Sequence, residues 1–362
     1  MEHGETADAG VEHPHGQLGK RRHAPHGVRA GGTRRARPGW ATQLVSRRPV
    51  RALIVTNMFP TPERPALGSF VSDQVQALRR TGEVELDVFA FAPGGLGAYA
   101  RAARDLARRC RRDRYDVVHA HFGLTNWPAR AARARAHVVT LHGTDLAHPR
   151  SRPITLAGLR LADLVGVVSE PLAREVPRWA GRGRVAVLPC GVELHRFARI
   201  DRAQARAELG LDPDAPCLLF PANPKRPEKR FDRAREVAGG VRLLTLGDVE
   251  PARVPLYVNA ANAVLIPSER EGFGLAALEA LACDVPVLAT PVGIAPEALA
   301  GVTGTVCAPF DADGWRAALA PALADPDPRI DGRSHAEPFS SDRMAERVLA
   351  AWRELLARSE EA

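Results

Sequence analysis

The 362-residue chain has no apolar run of the ~20 residues needed to cross a bilayer. Its best stretch, Leu281 to Val302, is broken by Asp284, Pro286, Pro291, Pro296 and Glu297, which excludes a membrane-spanning helix there. Cysteine is scarce. Cys110, Cys190, Cys217, Cys283 and Cys307 are scattered, with no C-x-x-C pair, so neither a disulfide framework nor a zinc knuckle is supported. The opening residues carry Glu2, Glu5 and Asp8 and no apolar core of a secretory signal, so a cytoplasmic chain is expected. Trp40 is the only aromatic residue in the basic first fifty, so the stacking platforms of specific nucleic-acid readout are missing.

The length suits two domains, and the hydrophobic (45%) and charged (25%) contents are those of a folded globular chain. Of the net charge of +8, residues 1–50 supply +5, together with five of the twelve histidines and no hydrophobic period. Residues 1–49 are therefore expected to form a disordered basic tail. From Arg51 onward, short β-branched runs alternate with Ala/Leu/Arg-rich segments, the pattern of strand, helix and strand in parallel sheets. Strands are predicted at 52–56, 85–89, 116–119, 137–141, 164–168 and 185–188, and a second set at 217–221, 242–246, 263–266, 285–289 and 304–307. The fold class is α/β, with two Rossmann-like domains facing across a cleft. Their expected bounds are 50–197 and 217–338, with a polar linker at 198–216 and a C-terminal helix within 339–362. That helix, near 341–358, places Met344, Val348, Leu349, Trp352 and Leu356 at helical spacing, a packing stripe. A helix over 98–112 sets Arg101, Arg104, Arg108 and Arg111 on one face, which suits either plain solvation or reversible contact with an anionic membrane or acceptor.

In such folds ligands bind beyond the carboxyl ends of the strands. After the strand ending at Ile266 the chain reads Pro267-Ser268-Glu269-Arg270-Glu271-Gly272-Phe273-Gly274-Leu275 and runs into a helix carrying Glu279. Glycines at a helix start let bare backbone and free N–H groups approach a phosphate. Carboxylates flanking such a site suit hydroxyls. A ligand with phosphates in the middle and hydroxyl-rich ends, a nucleotide-sugar, fits this description.

The pair Glu271 and Glu279 resembles the E-x7-E motif of retaining GT-B glycosyltransferases, the large family 4 type (glycosyl transferases group 1) that includes sucrose and mannosyl transferases. Six further blocks stand in the family's order: Val139 to Leu146, Val187 to Glu193 with Arg196-Phe197, Ala263 to Ser268, Leu281 to Thr290, Pro296-Glu297, and Gly301 to Gly304. The resemblance covers about Arg51 to Leu356. It implies that Glu279 holds the ribose hydroxyls and that Glu271, with the amides of Phe273, Gly274 and Leu275, holds the donor sugar. It also implies that Lys229 neutralises the diphosphate. Asn223 occupies the place of the family's usual arginine, and Arg226 is the substitute partner. His142 resembles the family histidine near the reacting centre, and Asp145 either orients that loop, meets the acceptor or simply caps a helix. His119 and His121 alternate along a strand face without a third ligand in register, so no metal site is assigned and His121 is expected to line the acceptor side. The loop Asn57 to Phe70 keeps one glycine, Gly68, of the family's pair, to open a helix over 70–79 toward the diphosphate.

The implied reaction is retaining transfer from a nucleotide-diphosphate sugar to an acceptor hydroxyl, with front-side attack, no enzyme nucleophile and no cofactor. Asp311-Ala-Asp313 and Asp325-Pro-Asp327 match the D-x-D pattern of metal-dependent transferases, but are expected to cap helix starts. A sugar-nucleotide epimerase and a non-catalytic nucleotide-sugar binder are the alternatives.

Overall fold

A computed structural model of the chain describes residues 48–181, 184–247 and 249–361. The expected basic tail lies outside the described residues, apart from Arg48 and Pro49. Among the described residues, eleven strands form two wholly parallel sheets. The first joins β1 (Val50–Thr56), β2 (Val84–Ala90), β3 (Tyr115–His121), β4 (Ala134–Leu141), β5 (Leu164–Val167) and β6 (Val185–Val187) in the order β2-β1-β3-β4-β5-β6. The second joins β7 (Cys217–Phe220), β8 (Arg242–Thr245), β9 (Ala263–Ile266), β10 (Val287–Ala289) and β11 (Val306–Cys307) in the order β11-β10-β9-β7-β8. Each strand stands where a β-branched run predicts it. The largest shift is at β4, which begins three residues earlier, and β3 continues two residues further, to His121. Both follow from pairing, because Tyr115 sits opposite Ala134 and His121 opposite Thr140.

Parallel strands are covered on both faces, so their apolar residues feed two cores alternately. In β1, Leu53 and Val55 enter one core while Ala52 and Ile54 enter the other. In β7, Cys217 and Leu219 divide from Leu218 and Phe220 in the same way. The first of these cores is continuous through both halves by way of Val192, Phe197 and Phe339.

Two expected boundaries change character. The polar linker contains a helix, Arg202–Glu208, whose Asp201 side chain accepts from the Gln204 amide at 2.9 Å. Arg202 and Arg206 are buried beneath it, donating to the carbonyls of Asn259 and Ala260. The C-terminal helix, Ser341–Glu361, returns to the first half. It buries Met344, Val348 and Trp352 against Val50, Ile54 and Val117. The return runs beside the outgoing chain: Val192 N–H donates to the Phe339 carbonyl at 2.8 Å and Ser341 N–H to the Val192 carbonyl at 2.9 Å. Gly191 is needed there, since a Cβ on it would lie 2.5 Å from the Ser341 Cα. The carboxyl ends of β1, β3 and β4 and of β7, β9 and β10 thus supply the loops of one cleft.

Candidate active site

The second half builds one wall from the loops after β7 and β9. Lys229 closes the 3-10 turn Pro227–Lys229, and its Nζ lies 2.6 Å from both carboxylate oxygens of Glu271. Ser268 Oγ donates to Glu271 Oε1 at 2.8 Å. Both members of the ion pair are largely removed from water, with side chains 15% and 10% exposed. Glu271 therefore has a fixed orientation. Gly274 then takes φ 94°, a left-handed value that glycine adopts without strain, and starts the helix Leu275–Ala282 with no side-chain cap. Ala277 N–H donates to the Gly274 carbonyl at 3.2 Å, which leaves the Leu275 and Ala276 amides to meet a ligand.

Because the helix begins at Leu275, Glu279 is one turn inside it. Residues 272–274 are spent on the loop. Glu279 is half-buried, and its carboxyl is pushed up to about 7: burial is the main cause, Arg196 opposes it and Asp73 adds to it. Arg196 is itself clamped, donating from Nη1 and Nη2 to the two Asp73 oxygens at 2.9 and 2.6 Å. Asp73 lies on the first half's helix Ser69–Arg80 and Glu279 on the second half's helix, so Arg196 is bonded to an acid of one half and acts electrostatically on an acid of the other.

The first half supplies the facing wall. Asp145 is buried, and its two oxygens accept from the backbone amides of Gly123 (2.7 Å) and His142 (2.6 Å). It ties the loop after β3 to the loop after β4. Burial raises its pKa while these amides lower it. The tie holds Phe122, a non-glycine residue at φ 74°, so that its ring lies 4.8 Å from the His142 ring. Phe70 flanks His142 on another side, also at 4.8 Å. Gly68 opens the helix Ser69–Arg80 at φ 64°, where a Cβ would fall 2.2 Å from the Met58 carbonyl oxygen.

His121 does not line the acceptor side. It is wholly buried and stands behind His142, its Nδ1 3.0 Å from His142 Nε2. The strand alternation was read correctly, but the face it marks is interior. Burial pushes His121 down to about 3 and holds His119 and His142 well below the usual histidine range.

The walls touch at glycines. A Cβ on Gly272 would lie 2.0 Å from the His142 carbonyl oxygen, and one on Gly143 would lie 2.7 Å from the Gly272 Cα. A cavity of about 250 Å³ lies beside this contact, with Met58, Phe70 and His142 facing Lys229, Glu271 and Gly274. A second, of about 180 Å³, reaches Thr144, Ser169 and Arg270. Arg226 lines both and is more exposed than Lys229, its guanidinium held by Glu228 at 2.9 and 2.7 Å. Asn223 Oδ1 accepts from the Lys225 amide at 2.9 Å, within its own loop.

Among the described residues no group of three His, Cys, Asp or Glu converges as metal ligands would. Asp311 caps the helix Ala312–Ala324, accepting from Gly314 N–H at 3.0 Å. Asp325 instead follows that helix, where its Oδ1 accepts from the Asp327 amide at 2.9 Å, so the second D-x-D ends a helix rather than starting one. The roles of Asp73 and Gly143 are not legible in the sequence. Only Gly143, beside His142 in a loop after a strand, carried a local signal.

Two family models match the chain, Glycosyl transferases group 1 over residues 205–337 and Glycosyltransferase Family 4 over residues 17–196. The D-inositol 3-phosphate glycosyltransferase of Actinosynnema mirum is 32% identical over 72% of this chain and 77% of its own length. That of Mycolicibacterium paratuberculosis is 34% identical over 66% of this chain and 67% of its own. Among solved structures, sucrose-phosphate synthase from Thermosynechococcus elongatus superposes with a TM-score of 0.68 at 21% identity, covering 86% of this chain and all of that one. The Anabaena protein HepE in complex with UDP superposes at 0.60 with 15% identity, covering 84% of this chain and all of that one. At these identities the superpositions show the fold, two Rossmann-like domains of the GT-B type.

Proposed function

The chain belongs to the glycosyl transferases group 1 family, and from that premise we propose that it moves a sugar from a nucleotide-diphosphate donor to an acceptor hydroxyl with retention of configuration. The observation that carries this reading is the cleft itself: Glu271, oriented by Lys229 and Ser268, beside an uncapped helix start on one wall, and His142 on the other. In this reading Glu279 accepts from the ribose hydroxyls and the diphosphate lies across the amides of Gly274 and Leu275. Lys229, already in the cleft, exchanges its carboxylate partner for a phosphate oxygen and stabilises charge as the glycosidic bond breaks. Arg226 meets the diphosphate from the mouth. The sugar rests on Glu271 and the Phe273 to Leu275 backbone, with His142 across from it.

Glu271 is engaged by Lys229 and Ser268, which suits a hydrogen-bond acceptor better than a nucleophile. Front-side attack, with a donor phosphate oxygen taking the acceptor proton, therefore fits this site. The positive field comes from Lys229, Arg226 and the helix end, so the reaction is metal-independent and survives EDTA. The UDP bound to HepE and the inositol-phosphate activity of the relatives supply the first candidates for donor and acceptor.

The test incubates the purified chain with a panel of nucleotide-sugars, with D-inositol 3-phosphate among the acceptors, and follows nucleotide diphosphate release and the anomeric configuration of the product by NMR. Release with a retained anomer, unchanged by EDTA, is expected. An inverted anomer overturns the stereochemical reading, and a requirement for magnesium or manganese overturns the metal-independent one.

The helix Leu96–Arg109 adds a surface to this reading. Arg101, Arg104 and Arg108 are exposed on it, Arg111 follows just beyond, and Ala102 and Leu106 are buried on the opposite side. Reversible electrostatic contact with an anionic leaflet would keep a cytoplasmic chain near a membrane-bound acceptor.

A further inference from the structure

We propose that Gln74 and His121 are positioning residues that set the tautomer of His142, so that His142 presents an N–H donor, and not a base, to the cleft. This rests on the glycosyl-transfer reading for its catalytic consequence, but on the geometry of this chain alone for the tautomer.

The three side chains form one file behind the cleft wall. Gln74, buried on the helix Ser69–Arg80, places its Nε2 3.4 Å from His121 Nε2. His121 Nδ1 is 3.0 Å from His142 Nε2. Both rings are kept neutral at ordinary pH by burial. A neutral imidazole has one N–H and one bare nitrogen, and an amide nitrogen can only donate. Gln74 donating to His121 Nε2 therefore puts the His121 proton on Nδ1. That proton is donated to His142 Nε2, which must be bare, and the His142 proton is left on Nδ1, the nitrogen that makes no bond within the file. His119 lies outside the file. It stacks on His121 at 4.8 Å, but its Nε2 is paired with Thr140 Oγ1 at 2.7 Å.

The consequence is chemical. With Nδ1 protonated and Nε2 spent on His121, His142 can donate to a sugar hydroxyl or to the charge growing on the leaving side, but it cannot receive the acceptor's proton. Deprotonation then falls to the donor phosphate, as front-side attack requires. Turning the Gln74 amide round, with its oxygen toward His121, would reverse every donor in the file and leave His142 Nδ1 bare as a base.

Long-range ¹H–¹⁵N correlation spectra of the labelled ligand-free chain decide between the two senses, with His142→Gln identifying the His142 signals. A protonated Nδ1 and a bare Nε2 on His142 are expected, and the opposite pattern overturns the proposal. Gln74→Met, close in shape but unable to donate, should allow both His142 tautomers and lower kcat about tenfold, with the affinity for nucleoside diphosphate unchanged. A Gln74→Met protein with mixed tautomers and unchanged kcat would overturn the positioning role. If no donor is ever turned over, the glycosyl-transfer reading fails while the spectra still decide the tautomer.

Discussion

Gly143 and Gly272 meet backbone to backbone, one in the loop after β4 and the other in the loop after β9, so closely that a Cβ on Gly143 would stand 2.7 Å from the Gly272 Cα. This contact seats His142 opposite Glu271. No side chain fits there, because the atoms in the way are main chain and cannot swing aside.

Gly272→Ala should therefore separate the two loops. Its Cβ would meet the His142 carbonyl oxygen at 2.0 Å. A displacement of about 1 Å between reacting groups can cost ~100-fold, so a fall of roughly 10- to 100-fold in kcat/KM is expected. Nucleoside diphosphate affinity, which in the proposed reading rests mainly on the second half, should stay within about twofold. Steady-state kinetics and calorimetry on one preparation check both.

Lys229→Ala removes the cation that orients Glu271 and would meet the diphosphate. A loss in kcat on the order of 100- to 1,000-fold is expected, as for other groups that stabilise developing charge. Glu271→Ala should chiefly lower turnover. Glu279→Ala should chiefly weaken nucleotide binding, by about 1.5–3 kcal/mol for hydrogen bonds to a charged acceptor. Wild-type nucleotide affinity in Glu279→Ala would remove the ribose assignment.

The pH dependence follows from Glu279, whose carboxyl is raised to about 7 by burial. A carboxyl with a higher pKa folded than unfolded binds more protons when folded between those two values. Stability attributable to it is then greatest in acid, falls as pH rises through that window, and is level above about 7. Nucleotide binding runs the other way, because ribose hydroxyls donate to the ionised form, so affinity should rise with pH through 7. Glu279→Gln should lose both slopes. Calorimetric titrations with a nucleoside diphosphate from pH 5.5 to 8.5, compared between the two proteins, cancel the phosphate's own titration. Parallel curves would sink the assignment.

The arginine face of the helix Leu96–Arg109 should bind anionic vesicles and release them in salt. Four arginines at about 1 kcal/mol each give roughly a thousandfold preference over neutral lipid. Co-sedimentation with anionic and neutral liposomes measures it. Equal recovery with both, or no loss in Arg104→Glu with Arg108→Glu, favours an acceptor that is not membrane-bound.

The strand order of neither sheet was legible in the sequence, but the strands were. β-Branched runs such as Leu53 to Val55 and Ala263 to Ile266 announce buried parallel strands by composition alone, and the loops that follow them are where a cleft must lie. Glu271, Gly274 and Glu279 were legible for the same reason, since glycine at a helix start and carboxylates at fixed spacing are local features. Tertiary structure decided which side chains meet. Lys229 reaches Glu271 across 42 residues and Arg196 reaches Asp73 across 123. The C-terminal helix covers the first sheet rather than the second. His121 shows the limit most plainly: its alternation with His119 marked one strand face, but only long-range packing against that face, by Gln74 and His142 on His121 and by Trp352 on His119, made it interior. A period says which residues share a side, and the partner that covers the side is chosen by long-range packing, which leaves no period of its own.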